Sequence, residues 1–158
     1  MSAVEQAARI SPFLWFDRNA EEAVAFYLSV FKNSRQTSKL IRQADDPSGP
    51  KGTVLTIGFE LEGLQFTALN GGSMYKFNEA VSFFVRCENQ EEIDHYWSKL
   101  TADGGSEIAC GWLKDKFGLC WQIVPARIMD LIKHPKAMQA MMGMKKLDIG
   151  ALERAAQG

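Results

Sequence analysis

The chain repeats itself, and a domain that repeats is built from copies of one supersecondary unit. Sliding the sequence on itself by about 70 positions places Glu21 on Glu91, Glu22 on Glu92, Phe26 on Tyr96, Tyr27 on Trp97 and Val30 on Leu100. The same slide lays the first apolar strand on the strand that opens the second half, with Phe13 on Phe83. A shorter slide of about 55 positions places Gly63-Leu64 on Gly118-Leu119, Phe66 on Trp121 and Thr67 on Gln122. It is shorter because the second half lacks the turn-rich stretch Asp45-Asp46-Pro47-Ser48-Gly49-Pro50-Lys51-Gly52.

Each copy reads as βαβββ. The run 10–16 is a short aromatic strand, and Asp17-Arg18-Asn19 supplies the turn and helix cap that follow it. Apolar Ala23, Phe26, Tyr27, Val30 and Phe31 recur at helical steps over 20–31, with Glu21 and Glu22 in the first turn where the helix dipole favours acids. Strands are expected over 36–43, 53–60 and 64–70, the last two joined by a Glu62-Gly63 hairpin turn. After Asn70-Gly71-Gly72-Ser73 the order restarts with a strand over 81–87, a cap at Glu88-Asn89-Gln90, a helix over 91–101 and a hairpin within 110–125. The expectation is a single α+β domain with module one at about 10–70, module two at about 80–125 and a helical tail at about 126–156. In that tail Met129, Leu131, Ile132, Met138, Met141, Met142 and Met144 fall at helical steps broken by His134-Pro135, and a last short helix follows over 148–156. Such a tail is expected to pack on the sheet or on a neighbouring subunit.

Composition narrows the function. With 18 basic against 19 acidic side chains there is no charge surplus to hold nucleic acid or an anionic bilayer. Residues 1–9 show no apolar leader-like run and no later run reaches the length of a membrane span, so a cytoplasmic location is expected. Cys87, Cys110 and Cys120 are odd in number and widely spaced, which argues against a zinc or disulfide framework, and Cys110 and Cys120 read as buried, inert thiols. His95 and His134 both fall in expected helices and read as surface side chains. No P-loop, GxGxxG after a strand, HExxH or GxSxG occurs.

The most distinctive stretch is 110–125, a hairpin with two tryptophans. Lys114 and Asp115 read as solvated turn residues. Gln122, between Trp121 and Ile123, needs hydrogen-bond partners if it points inward and is expected to face a cavity.

Taken together, Ser11-Pro12-Phe13-Leu14-Trp15-Phe16, Ala20-Glu21-Glu22-Ala23 with Phe26-Tyr27, Asn70-Gly71-Gly72, Glu79-Ala80-Val81-Ser82-Phe83 and the Cys110-Gly111-Trp112 to Pro125 hairpin carry a family likeness. The chain resembles the PhnB-like branch of the glyoxalase/bleomycin resistance/dioxygenase superfamily, the vicinal oxygen chelate proteins. Many members of that branch bear the label 3-demethylubiquinone-9 3-methyltransferase. The resemblance covers about residues 10–150 and implies a homodimer in which the paired modules curl an eight-stranded mixed sheet around a cleft. In metal-dependent relatives the first and last strands of each half supply His or Glu ligands to a divalent ion. Here the first strands contain no His, Asp or Glu, and Thr67 and Gln122 stand where acidic ligands are expected, so no metal and no cofactor is expected. A glycine-rich strand-to-helix loop of the kind that commonly holds S-adenosylmethionine is also missing from the sequence.

The leading expectation is therefore a small-molecule binding or metal-independent protein with an aromatic cleft lined by Trp15, Thr67, Asn70, Ser82, Cys110, Trp112, Trp121 and Gln122. Alternatives are a methyltransferase acting on a quinone-like aromatic, a metal-dependent lyase or dioxygenase with unusual ligands, and a resistance protein that sequesters an antibiotic.

Overall fold

The computed structural model describes residues 8–158 and divides into two compact units, one running to Lys76 and the other from Phe77 to Gly158. The first seven residues, where the sequence shows no apolar leader, lie outside the described residues.

In the first unit β1 (Phe13–Phe16) leads into α1 (Ala20–Val30), followed by β2 (Ser34–Ile41), β3 (Val54–Leu61) and β4 (Leu64–Asn70). The second unit repeats this as β5 (Ser82–Cys87), α2 (Gln90–Thr101), β6 (Ser106–Glu107), β7 (Trp112–Lys114) and β8 (Cys120–Pro125). Each unit forms one four-stranded mixed sheet, in the orders β1-β4-β3-β2 and β5-β8-β7-β6. In both, the first strand pairs parallel with the last and the remaining neighbours are antiparallel. The fold is α+β with two βαβββ modules and a helical tail, as the internal repeat predicts.

Helix positions match across the repeat. Ala23, Tyr27 and Val30 are buried in α1, and Ile93, Trp97 and Leu100 are buried in α2. The strand alignment needs correction. Phe13 is 62% exposed, whereas Phe83 lies against Trp121 with ring centroids 5.5 Å apart. Phe13 pairs with Thr67 and Phe84 with Gln122, so exposed Phe84 is the counterpart of exposed Phe13, and the strands correspond at one residue more than the helices. Successive strand residues face opposite ways, so a one-residue error exchanges the two faces. The Asp17-Arg18-Asn19 and Glu88-Asn89 turns differ by that one residue.

The core of the first unit is aromatic: Tyr27 stacks on Phe59 at 6.2 Å, and Phe59 stacks on Phe66 at 5.1 Å. Full burial of side chains of this kind is worth roughly 1.5–3 kcal/mol each. The tail consists of α3 (Ile128–Leu131), α4 (Pro135–Met142) and α5 (Ile149–Gln157). Pro135 opens α4 because the first helical position needs no N–H, so His134 stands just ahead of the helix and not within it. Leu131, Leu147 and Leu152 close over Val124 and Ile128, which places the tail on its own sheet. Gln90 fastens it further: its Nε2 donates to the Leu147 carbonyl at 3.0 Å and its Oε1 accepts from Ile149 N at 2.9 Å.

Helix caps fall partly where the sequence places them. Asn89 caps α2, its side chain accepting from Glu92 N at 2.9 Å. Asn19 makes no such bond; Asn70, at the end of β4, reaches across and accepts from Ala20 N at 2.9 Å. Asn70 Nδ2 donates to Glu21 Oε1 at 2.7 Å and to the Val54 carbonyl at 3.0 Å, so one buried amide joins α1, β3 and β4. Asn70→Ala strands the first helical N–H and a strand carbonyl, and is expected to lower unfolding free energy by about 2–4 kcal/mol in urea titration.

Candidate functional site

β8 has two different faces. Trp121 and Ile123 point to the α2 side with Leu113 and Phe83 beside them, and the first three of these are buried. Gln122 points the other way, flanked in register by Phe84 on β5 and Trp112 on β7. One row along, Cys120 is flanked by Ser82 and Lys114. The face of the second sheet turned away from α2 therefore carries an aromatic row, Phe84, Gln122 and Trp112, and a polar row, Ser82, Cys120 and Lys114, of which Cys120 is itself fully buried. Three strands about 4.8 Å apart and two rows about 7 Å apart make a patch of roughly 10 by 7 Å, the footprint of one or two fused rings. Val124, the next residue of this face, is covered by the tail, which bounds the patch at that end.

Gln122 Nε2 donates to Ser82 Oγ at 2.9 Å. That bond leaves the glutamine carbonyl, its second N–H and the serine O–H to address a ligand. Phe84 is 41% exposed and Trp112 is half-buried, so both rings remain reachable.

The remaining expected residues are distributed differently. Trp15 and Thr67 lie on the open face of the first sheet, where Phe13 pairs with Thr67 and Trp15 with Leu69. Trp15 is held there by its loop. Its Nε1 donates to the Gly72 carbonyl at 2.8 Å, its ring meets Tyr75 edge-on at 4.9 Å, and a Cβ at Gly71 would clash with the indole. Asn70 is buried on the helix side with its amide engaged, as described above. Trp121 is buried on the α2 side, away from the row that carries Gln122. Cys110 occupies a tight turn with Gly111, both at positive φ, and its N–H donates to the Met144 carbonyl at 2.8 Å. It adjoins the tail rather than the open face, and it is only partly buried where full burial was expected.

Asp115 departs most from expectation. It is not solvated: it is 2% exposed, with Oδ1 accepting from Phe117 N at 2.8 Å and Leu119 N at 3.1 Å and Oδ2 accepting from the Trp121 indole at 2.9 Å. Those bonds satisfy a carboxylate that would otherwise be costly to bury. Lys114 also has a partner the sequence did not suggest, Glu79, at 2.5 Å. Its hydrogen bond to Lys114, foremost, holds the Glu79 carboxyl below its usual range, and the same bond raises Lys114. Burial pushes the Cys120 thiol up, and burial with Glu92 and Glu88 pushes Cys87 up to about 12.

The first unit contains a cavity of about 530 Å³ beside the 45–50 loop, with Arg42 in its wall. Arg42 is 4% exposed and all five of its N–H groups are engaged, by Asp46, Thr53, Ser48 and the Val54 and Asn70 carbonyls. The guanidinium therefore ties the loop to the end of β4 and has no donor left for a ligand.

Comparison with known proteins agrees with this architecture. The family model described as 3-demethylubiquinone-9 3-methyltransferase matches residues 8–124. The chain belongs to this family. A Bacillus cereus PhnB protein, described as a candidate 3-demethylubiquinone-9 3-methyltransferase, is 33% identical, with 74% of this chain and 99% of that one covered and a TM-score of 0.66. The fold is shared with more distant solved structures. Protein PA1353 from Pseudomonas aeruginosa is 17% identical over 75% of this chain and 98% of its own, with a TM-score of 0.60. The fosfomycin resistance protein FosX from Listeria monocytogenes, solved with Mn(II) and sulfate, is 14% identical over 80% and 96%, with a TM-score of 0.53. No curated protein matches the chain significantly.

A divalent ion of the kind FosX holds does not fit the side chains of either open face. Among the described residues no group of three or more His, Cys, Asp or Glu side chains comes together, and Thr67, Ser82 and Gln122 offer only neutral hydroxyl and amide oxygens.

Two outcomes test this geometry. Asp115→Ala is expected to destabilise the protein by about 2–4 kcal/mol in denaturant titration, because it strands three N–H groups. Alkylation of the native protein, read by mass spectrometry, is expected to modify Cys110 alone, with Cys87 and Cys120 reacting only after unfolding.

Proposed function

We propose that the protein binds a small planar aromatic molecule on the open face of its second sheet and does so without a metal ion. The observation that carries this reading is the Gln122–Ser82 hydrogen bond set beside Phe84 and Trp112. Rings supply stacking area and the amide and hydroxyl supply direction, which is the usual division of labour in a small-molecule site. Ser82 and Gln122 offer only neutral oxygens, and no group of three or more metal-binding side chains comes together among the described residues, which supports metal independence.

A second reading comes from the family's name, which specifies methyl transfer to a demethylated ubiquinone. A quinone-like ring suits a patch of this size. Neither strand-to-helix turn, Asp17-Arg18-Asn19 nor Glu88-Asn89, has the glycine-rich backbone that commonly cradles S-adenosylmethionine, so the binding reading stands first.

An NMR screen of one- and two-ring aromatics against indole-labelled protein tests the proposal. Binders are expected to move the Trp112 Nε1 signal, and Gln122→Ala is expected to weaken them about fivefold, the worth of one neutral hydrogen bond. Binders that move only Trp15, or that are indifferent to Gln122→Ala, would place the site elsewhere. Thermal shifts with S-adenosylmethionine and with Mn(II), measured separately, decide between this reading and the transferase and metal readings, since a ligand of the native state raises its stability.

A further inference from the structure

Lys114 stands at the edge of the proposed binding face and bears on which aromatic the face accepts. On β7 it pairs with Cys120, and Cys120 pairs in turn with Ser82, so the ammonium and the Gln122–Ser82 pair approach the same small, fully buried residue from opposite sides. Cys120 presents little bulk between them. The Lys114 side chain is 33% exposed and its partner Glu79 is 57% exposed. An exposed ion pair of this kind adds little stability and exchanges readily, because water competes for both partners. An ammonium has three N–H groups and Glu79 takes one, which leaves two for a newcomer.

The aromatic row and the polar row lie about 7 Å apart along the strands. A molecule whose ring rests between Phe84 and Trp112 therefore brings its far edge over Cys120, within reach of Lys114.

We propose that Lys114 makes this face selective for aromatic acids, planar molecules whose ring edge carries a carboxylate that takes up the free N–H groups of the ammonium. Glu79 is the resident counter-ion. It keeps the lysine extended over the sheet when no ligand is bound and opposes a bound carboxylate by like charge. This inference rests on the binding reading above, since it names the class of ligand for the same face.

The test is isothermal titration at pH 7.5 and low salt with 2-naphthoate and 2-naphthamide, two probes of the same shape that differ in charge. The wild-type protein is expected to prefer the naphthoate about tenfold, the scale of a hydrogen bond to a charged group. In Lys114→Met, with folding checked by circular dichroism, the preference is expected to fall to about one, and in Glu79→Gln it is expected to rise. Equal binding of both probes by the wild type, or a preference that survives Lys114→Met, overturns the selectivity and leaves the binding face standing. If neither probe binds and the Trp112 signal stays still, the binding reading falls and this inference falls with it.

Discussion

In the second unit β8 is the strand that joins β5 to β7, and its register depends on the Asp115 carboxylate. One oxygen collects the Phe117 and Leu119 N–H groups and so shapes the turn, while the other holds the Trp121 indole from the strand that leaves it. Turn and strand are thus set by one side chain. With Trp121 committed to the α2 side, alternation sends Gln122 to the opposite face, and the parallel pairing with β5 brings Phe84 and Ser82 to meet it. The first unit reaches the same topology with a two-residue turn, in which Glu62 and Gly63 both adopt positive φ. It needs no buried acid there.

The fold was legible because it is written twice. Helical spacing in 20–31 and 91–101, acids in both first turns and the order of strands were enough to give two βαβββ modules, and the tail helices followed from apolar spacing and Pro135. Positions held by long-range polar contacts were not legible. Asn70 reads as a cleft residue at the end of a strand because its partners Ala20 and Glu21 are about fifty positions away in sequence, and Asp115 reads as a surface turn because nothing local says that an indole will bond to it. Ser82, Trp112 and Gln122 are expected cleft residues on their chemistry, and the structure places those three on one face of the second sheet. Lys114 reads as a solvated turn residue and Phe84 carries no signal of its own, since an exposed charge and an apolar residue in an apolar strand gain meaning only when register makes them neighbours.

The family match ends at residue 124, and the tail begins where it ends. Its helices bury Val124 and Leu147, and residues 144 and 145 accept the Cys110 and Gly111 N–H groups. The two halves of the duplication have accordingly been elaborated in different ways. The first has a long loop fixed by Arg42, and the second has a helical cover fixed by Gln90.

Alternation along β8 also separates two kinds of selection. Trp121 and Ile123 answer to folding, and a change at either is felt through the whole core. Phe84, Trp112, Lys114 and Gln122 face outward, so they can be exchanged at small cost in stability while the chemistry of the face changes. A lineage built on this scaffold can move from one ligand to another by single substitutions without first acquiring a more stable parent, which suits a fold that serves many tasks.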